Sequence, residues 1–355
     1  MFIAKYNSSL ASQWATKAGG LGSSGNVRGT SIAVDFAGAP FVVGSFLWGA
    51  DFVVQQFTAF GNTDMFLAKY YNNNGNLTSA YQYSGSSAAS RINPTSLKMD
   101  GSGFCNIAGF FNTNAVLGST TLTSIGMDDI FITRINAVGN PQWAYSAGGA
   151  GDDRATGLAL DASGNHYISG YLDGSFNFGS IPATGNSGSP DVFVAKYNGA
   201  NSAWDWVTTG GTGSGYEYAF DIALAAANNI VIAGRADAVF SLGGIQIDNT
   251  GFTDGFIANV SALTGINDLN NENNFSVSPN PSDGFIHINM SSSAGSSKIE
   301  LLNLLGEVIF TEDVKSSGQK SFDFDFPEHE IENGLYFIRI TDGDKTYKRK
   351  LIIRR

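Results

Sequence analysis

Cysteine is nearly absent. Cys105 stands alone among 355 residues, so no internal disulfide can form. Thiol-poor proteins occur inside and outside cells, so this scarcity does not assign a compartment. Charge is also scarce, at 14% of residues, and cations scarcer still: 20 Lys and Arg face 31 Asp and Glu, for a net −11. A chain short of cations is ill-suited to nucleic acid, whose phosphates need a basic face, and to anionic lipid. No run of about 18 apolar residues exists, which excludes an apolar helical membrane span. The Val- and Phe-rich stretch 31–54 is broken by Asp35 and Asp51. The first residues show no basic segment followed by an apolar one. Helical periodicity is missing too, and HExxH, GxSxG and P-loop spacings do not occur.

What is abundant is glycine, at 44 residues, within a chain that is 43% hydrophobic. That mixture suits many short strands joined by turns. The chain also repeats itself. "MFIAKYN" at 1–7 returns as "MFLAKYY" at 65–71, "IFITRIN" at 130–136, "VFVAKYN" at 192–198 and "GFIANVS" at 255–261. The shared phenylalanines, Phe2, Phe66, Phe131, Phe193 and Phe256, set a period of about 63 residues. An aromatic follows in phase at Trp14, Tyr81, Trp143 and Trp204, and is expected in the core between units.

Each period contains "SIAVDFAGAPFVVG" (31–44) or its counterpart, two β-rich runs about a turn, which predicts a hairpin. The "FIAKY" phrase alternates and predicts a third strand; "QWATKA" or "QWAYSA" predicts a fourth. Four strands per unit, repeated, predict β-propeller blades, with 173–190 and its counterparts as a long loop that lengthens the period. A β-solenoid is the other architecture weighed. These residues resemble the SBBP-type bacterial β-propeller repeat, chiefly through "GGAGDDRATGLALDASGNHYISGY" (148–171) and "DVFVAKYN" (191–198). That resemblance covers 1 to about 265 and implies a fold, not an activity. Blades are expected over 29–84, 93–147 and 155–209, with a partial one from 219 to about 260. Phe2–Tyr6 and Phe256–Val260 claim the same strand position, so the ends cannot share one blade. The sequence is therefore expected to continue upstream.

The texture changes at 266–274, "INDLNNENN", read as a linker. Residues 275–355 carry 10 cations against 12 acids, net −2, whereas 1–274 carry 10 against 19, net −9. Four marks stand in order: "SPNPSDGFIHI" (278–288), "IELLNLLGEVIF" (299–310), "ENGLYFIRI" (332–340) and "KRKLIIRR" (348–355). They predict short strands of a small β-sandwich. Together they resemble the type A C-terminal sorting domain of the type IX secretion system. The resemblance implies an Ig-like sandwich, export across the outer membrane of a Gram-negative cell, and interaction with the type IX machinery. It places the sorting signal on Pro279, Asn280, Pro281, Gly284, Gly306, Gly334, Tyr336 and Lys350. The basic ends of the final strand also limit edge aggregation.

The fold class expected is thus all-β: a partial β-propeller over 1–265, a linker over 266–274 and an Ig-like sandwich over 275–355. No catalytic, cofactor or metal residues are assigned. His287 and His329 lie in the sorting region. His166 is expected as a half-buried strand residue, and Cys105 as a buried small hydrophobe. Asp35, Asp100 and Asp161 recur at hairpin turns. They are expected to cap their own backbone rather than bind calcium, whose loops space their acids differently. Trp48, Trp206 and Tyr216 fall out of phase and could stack on sugar rings. The function expected is a secreted or surface scaffold for binding or adhesion. Alternatives are a glycan-binding module, or part of an extracellular hydrolase whose catalytic part lies elsewhere.

Overall fold

The computed structural model describes residues 1–225, 229–261, 275–290, 296–303, 307–315, 321–326, 331–342 and 345–354. Every regular element among them is a strand. The chain forms two compact units, Met1–Ala262 and Leu263–Arg355. The expected linker 266–274 lies outside the described residues.

In the first unit, three four-stranded antiparallel sheets follow one another, each in simple sequential order. The first sheet uses Asn26–Val34, Pro40–Leu47, Asp64–Tyr70 and Leu77–Tyr83. The second uses Arg91–Met99, Cys105–Asn112, Asp129–Ile135 and Pro141–Ala147; the third uses Arg154–Leu160, His166–Leu172, Asp191–Asn198 and Ala203–Gly210. A fourth has the first three strands, Glu217–Leu224, Asn229–Ala236 and Asp254–Ser261. Ahead of them Phe2–Tyr6 pairs with Ser12–Lys17.

One apolar layer fills each junction between consecutive sheets. Phe41, Val43, Met65 and Leu67 of the first sheet pack with Leu97, Ile107 and Phe131 of the second. Ile130 and Ile132 pack with Leu158, Ile168 and Phe193 of the third. Val192 and Val194 pack with Ile222, Ile232 and Phe256 of the fourth. Of the in-phase aromatics, Tyr81 packs on the first of these layers and Trp143 and Trp204 on the second, while Trp14 packs with the leading strand pair against the first sheet. Tyr81 lies where a side chain on Gly139 of the next sheet would sit: an added Cβ would stand 2.2 Å from its ring, and Gly139 holds φ +79°. Only glycine fits such a place without strain.

Two recurring devices hold the stack. The register of the first two strands slips by one residue at Thr30, Thr95, Thr156 and Phe220. At two of these bulges the threonine hydroxyl reaches the next sheet: Thr95 lies 2.9 Å from the Ala155 carbonyl, and Thr156 lies 2.8 Å from that of Ala219. The second device is an acid at the start of the third strand. Asp64, Asp129 and Asp191 are buried and accept backbone N–H groups of the loop just before them, from Phe60, Ile125 and Asn186.

The long loop of each period is not structureless. It folds into a small hairpin: Gly49–Asp51 with Gln56–Thr58, Asn114–Leu117 with Thr120–Thr123, Phe176–Phe178 with Ile181–Ala183, and Phe240–Leu242 with Ile245–Ile247. In the last three, the tip glycines Gly118, Gly179 and Gly243 take φ +58° to +66°. The two-residue turns "GS", "GS" and "GG" were the available signal.

The second unit has two antiparallel sheets. Phe275–Ser278, Phe285–Met290 and Ser321–Asp325 form one; Val308–Lys315, Ser296–Leu302, Gly334–Asp342 and Lys345–Ile353 form the other. Ile286, Ile288, Ile299, Leu301, Phe324, Ile338, Ile340 and Leu351 share one core.

Candidate functional site: the closing strand of the second unit

The sequence-predicted signal residues converge on the strand Lys345–Ile353. Asn280 lies beside it and acts as a backbone mimic. Its side-chain amide donates to the Lys350 carbonyl at 2.8 Å, and its carbonyl oxygen accepts the Ile352 N–H at 2.8 Å. Pro279 and Pro281, both following cis peptide bonds, flank it. Neither proline has an N–H to leave unpaired at this edge. Ser282 continues the pairing: its N–H donates to the Ile352 carbonyl at 2.8 Å, and its carbonyl accepts the Arg354 N–H at 2.7 Å.

Gly284 closes the turn that aims this segment. It holds φ +117° and donates its N–H to the Ser282 hydroxyl at 2.9 Å. On the opposite edge of the closing strand, Gly334 pairs with Ile353, Tyr336 with Leu351 and Phe337 with Lys350. The Tyr336 hydroxyl donates to the Glu332 carbonyl at 2.8 Å. Lys350 is exposed, and Arg349 donates to the Phe275 carbonyl and lies over its ring. The closing strand is thus clasped on both edges while it presents exposed Arg349 and Lys350. Gly306 lies outside the described residues.

Behind this strand Glu300 is buried between Arg339 and Lys298. The hydrogen bond from Arg339 is the main reason its carboxyl is held down to about 2. His287 makes a hydrogen-bonded contact with Asp323 at the exposed face of the neighbouring sheet. His329 lies outside the described residues.

In the first unit, the groups with chemical potential are tied into structure. His166 is 3% exposed, more deeply buried than expected; Nε2 lies 2.8 Å from Asn106 Oδ1, and the ring packs edge-on to Trp143. Burial, helped by Arg134, pulls it down to about 4, so it is neutral at physiological pH. Burial also pushes the Cys105 thiol up to about 12. Asp35, Asp100 and Asp161 each accept two N–H groups of their own turn, from Ala37 and Ala39, Ser102 and Phe104, and Ser163 and Asn165. Lys69 and Arg134 pair with the first two. Among the described residues, no group of three or more His, Cys, Asp or Glu is placed to hold a metal ion.

Two acids stand out against expectation, because "MDD" at 127–129 and "GDD" at 151–153 read in the sequence as solvated loop acids. Asp129 and Asp153 are buried, and close enough for the charge of Asp129 to act on Asp153. Desolvation dominates both, raising Asp129 to about 6 and Asp153 to about 7. Each answers backbone N–H groups, Asp153 those of Gly149 and Asp173, so they serve the junction between sheets. The in-phase spacing of Asp129 with Asp64 and Asp191, and of Asp153 with the buried Glu217, was the available signal.

Residues 276–354 match the family described as the secretion system C-terminal sorting domain. Such a domain marks proteins exported by the type IX secretion system, and this chain is a protein of the cell surface or extracellular space. No curated protein matches the chain. Among solved structures, it can be laid over PorZ, a surface component of the type IX system of Porphyromonas gingivalis. The identity is 12% and the TM-score 0.28, covering 92% of this chain and 45% of that one. This chain therefore spans less than half of that protein's length. A fungal alcohol oxidase of the AA5 family, determined with copper, gives 10% identity and a TM-score of 0.18 over 91% of this chain and 96% of that one. Both overlays are loose.

Proposed function

We propose that the first unit is a run of β-propeller blades of the SBBP type, and that it serves as a non-catalytic scaffold for binding or adhesion at the cell surface. The second unit, read as an Ig-like sandwich, is the part the type IX machinery recognises. The observation that carries this reading is the clasp around Lys345–Ile353, in which Asn280 and Ser282 order the strand from one side and Gly334–Asp342 from the other. Repetition supports the scaffold role: each sheet reuses the same junction, as stacked repeat units do. The non-catalytic reading is supported by His166 and Cys105, each buried and engaged in packing.

The test is export. In a type IX-competent host, the full chain behind a Sec signal is expected at the surface or in the medium, and the same chain without 276–355 is expected to stay in the periplasm. Equal export of both forms, or export from a host lacking the type IX system, would sink the reading.

A further inference from the structure

The topology sorts the loops of the first unit to two ends. Strands alternate in direction, so the small hairpins between second and third strands lie at the same end as the connectors from one sheet to the next. The segments forming that end are 48–63, 84–90, 113–128, 148–153, 173–190, 211–216 and 237–253. They contain no Lys, Arg or His. They do contain exposed Trp48, Phe60, Tyr216 and Phe252. The opposite end also shows aromatics, Phe36 and Tyr71, but beside the Lys69–Asp35 ion pair.

One hairpin concentrates the feature. Trp48 and Phe60 are 66% and 60% exposed and flank the open end of the hairpin, where the Ala59 N–H donates to the Trp48 carbonyl at 3.0 Å. Their base is rigid. Phe52 packs at 5.7 Å on Phe57 and at 5.1 Å on Phe66 beneath. The Gln55 amide grips Ala80 of the sheet's edge strand at both its N–H and its carbonyl, and Gln82 donates to the Thr58 carbonyl. Gln56 and Thr58 lie exposed beside the rings.

Trp48 is misplaced as a structural residue. It holds φ +65°, a conformation that side chains other than glycine and asparagine rarely adopt. The corresponding residue of the second sheet, Thr113, holds φ +60°, so the position itself demands this geometry. The backbone would accept glycine more easily, and the exposed ring gains little from packing. A large flat ring held there serves something outside the chain.

Resting on the scaffold reading above, we infer that the hairpin 48–60 is a binding platform for a neutral polysaccharide. Aromatic faces take the C–H faces of sugar rings, and the amide of Gln56 and hydroxyl of Thr58 can exchange hydrogen bonds with sugar hydroxyls. The loops at this end carry no cation, and Arg91 and Arg154 at their border are already paired with Asp128 and Asp152, which disfavours uronate or sulfated chains that would meet acids such as Asp51 and Asp173.

The test is affinity electrophoresis of the full chain in gels containing soluble neutral polysaccharides (β-glucan, xylan, mannan, starch), with alginate and heparin as anionic comparisons. At least one neutral polymer is expected to retard the chain and neither anionic one to do so. The decisive variant is Trp48→Gly, which relaxes the backbone and so keeps the fold. It is expected to weaken retardation about tenfold or more, the scale of a lost ring contact of roughly 1.4 kcal/mol. Phe60→Ala is expected to act in the same direction, and Phe36→Ala, at the other end, to change nothing. Retardation unaltered by Trp48→Gly, or equal retardation by alginate, overturns the assignment. A chain that ignores every polysaccharide yet adheres to immobilised protein overturns it too, but leaves the scaffold reading standing.

Discussion

At the scale of single residues, the structure shows polar groups used as local fasteners. Asp35, Asp100 and Asp161 each serve one turn, and Asn280 serves two backbone groups of one strand. Replacing Asn280 by Ala strands both partners, which at roughly 1 kcal/mol per hydrogen bond should destabilise the second unit by about 1–3 kcal/mol. A urea titration of the full chain, read on that unit, checks it; no change in midpoint would mean water replaces the amide fully. Cys105 is expected to resist a thiol reagent at pH 8 until denaturant is added, because its thiol is buried and pushed up to about 12. Rapid labelling of the native chain would contradict the structure. The Asp turns were legible in the sequence, since Asp followed by Gly, Ser or Asn has few other uses. The depth of His166 was not: its burial depends on Trp143 and Asn106, which belong to a neighbouring sheet.

At the scale of elements, the sheets and their order were readable because the 63-residue phrase names each third strand in turn. The small hairpins were missed because their strands run only three or four residues, too short for alternation to register. The junction acids were missed for a different reason. An acid before an apolar run looks solvated until its backbone partners are known. Asp129 and Asp153 make the stack sensitive to pH. Their folded values, about 6 and 7, lie above the ordinary carboxyl value of 3.8, so the folded state holds more protons between those limits. Their contribution is full below pH 4 and is lost as pH rises through about 7, each carboxyl giving a slope of up to about 1.4 kcal/mol per unit. Asp35, Asp100 and Asp161 run the other way. Burial raises them, but hydrogen bonds from their own turns outweigh it, with Lys69 or Arg134 adding to two of them, so their stabilisation fades as pH falls through the carboxylate range. The denaturation midpoint of the first unit is expected to rise on going from pH 8 to pH 6, and Asp153→Asn to flatten that rise. A profile level in the unaltered chain would refute the assignment. Gly139→Ala is expected to destabilise by about 1 kcal/mol or more, from the left-handed backbone alone, before the clash with Tyr81 is counted.

At the scale of the whole molecule, two units of different texture share one chain. The near-neutral composition of 275–355 and the four ordered marks made the second unit legible, while the aromatic platform of the first was not. Trp48 and Phe60 become neighbours only through a hairpin that the sequence hid. The two units are expected to unfold as separate transitions, since each has its own core. Calorimetry giving a single two-state peak would argue against that.

The clasp of Asn280 and Ser282 on residues 350–354 also bears on biosynthesis. A polypeptide halted a few residues short of Lys350 carries most of the domain's core residues yet lacks the partners that its proline-flanked opening segment needs. Under the sorting role proposed above, the address is written at the start of the domain and validated only by residues translated some seventy codons later. Unfinished products would carry an illegible address, and the cell would spare its outer surface the display of broken copies.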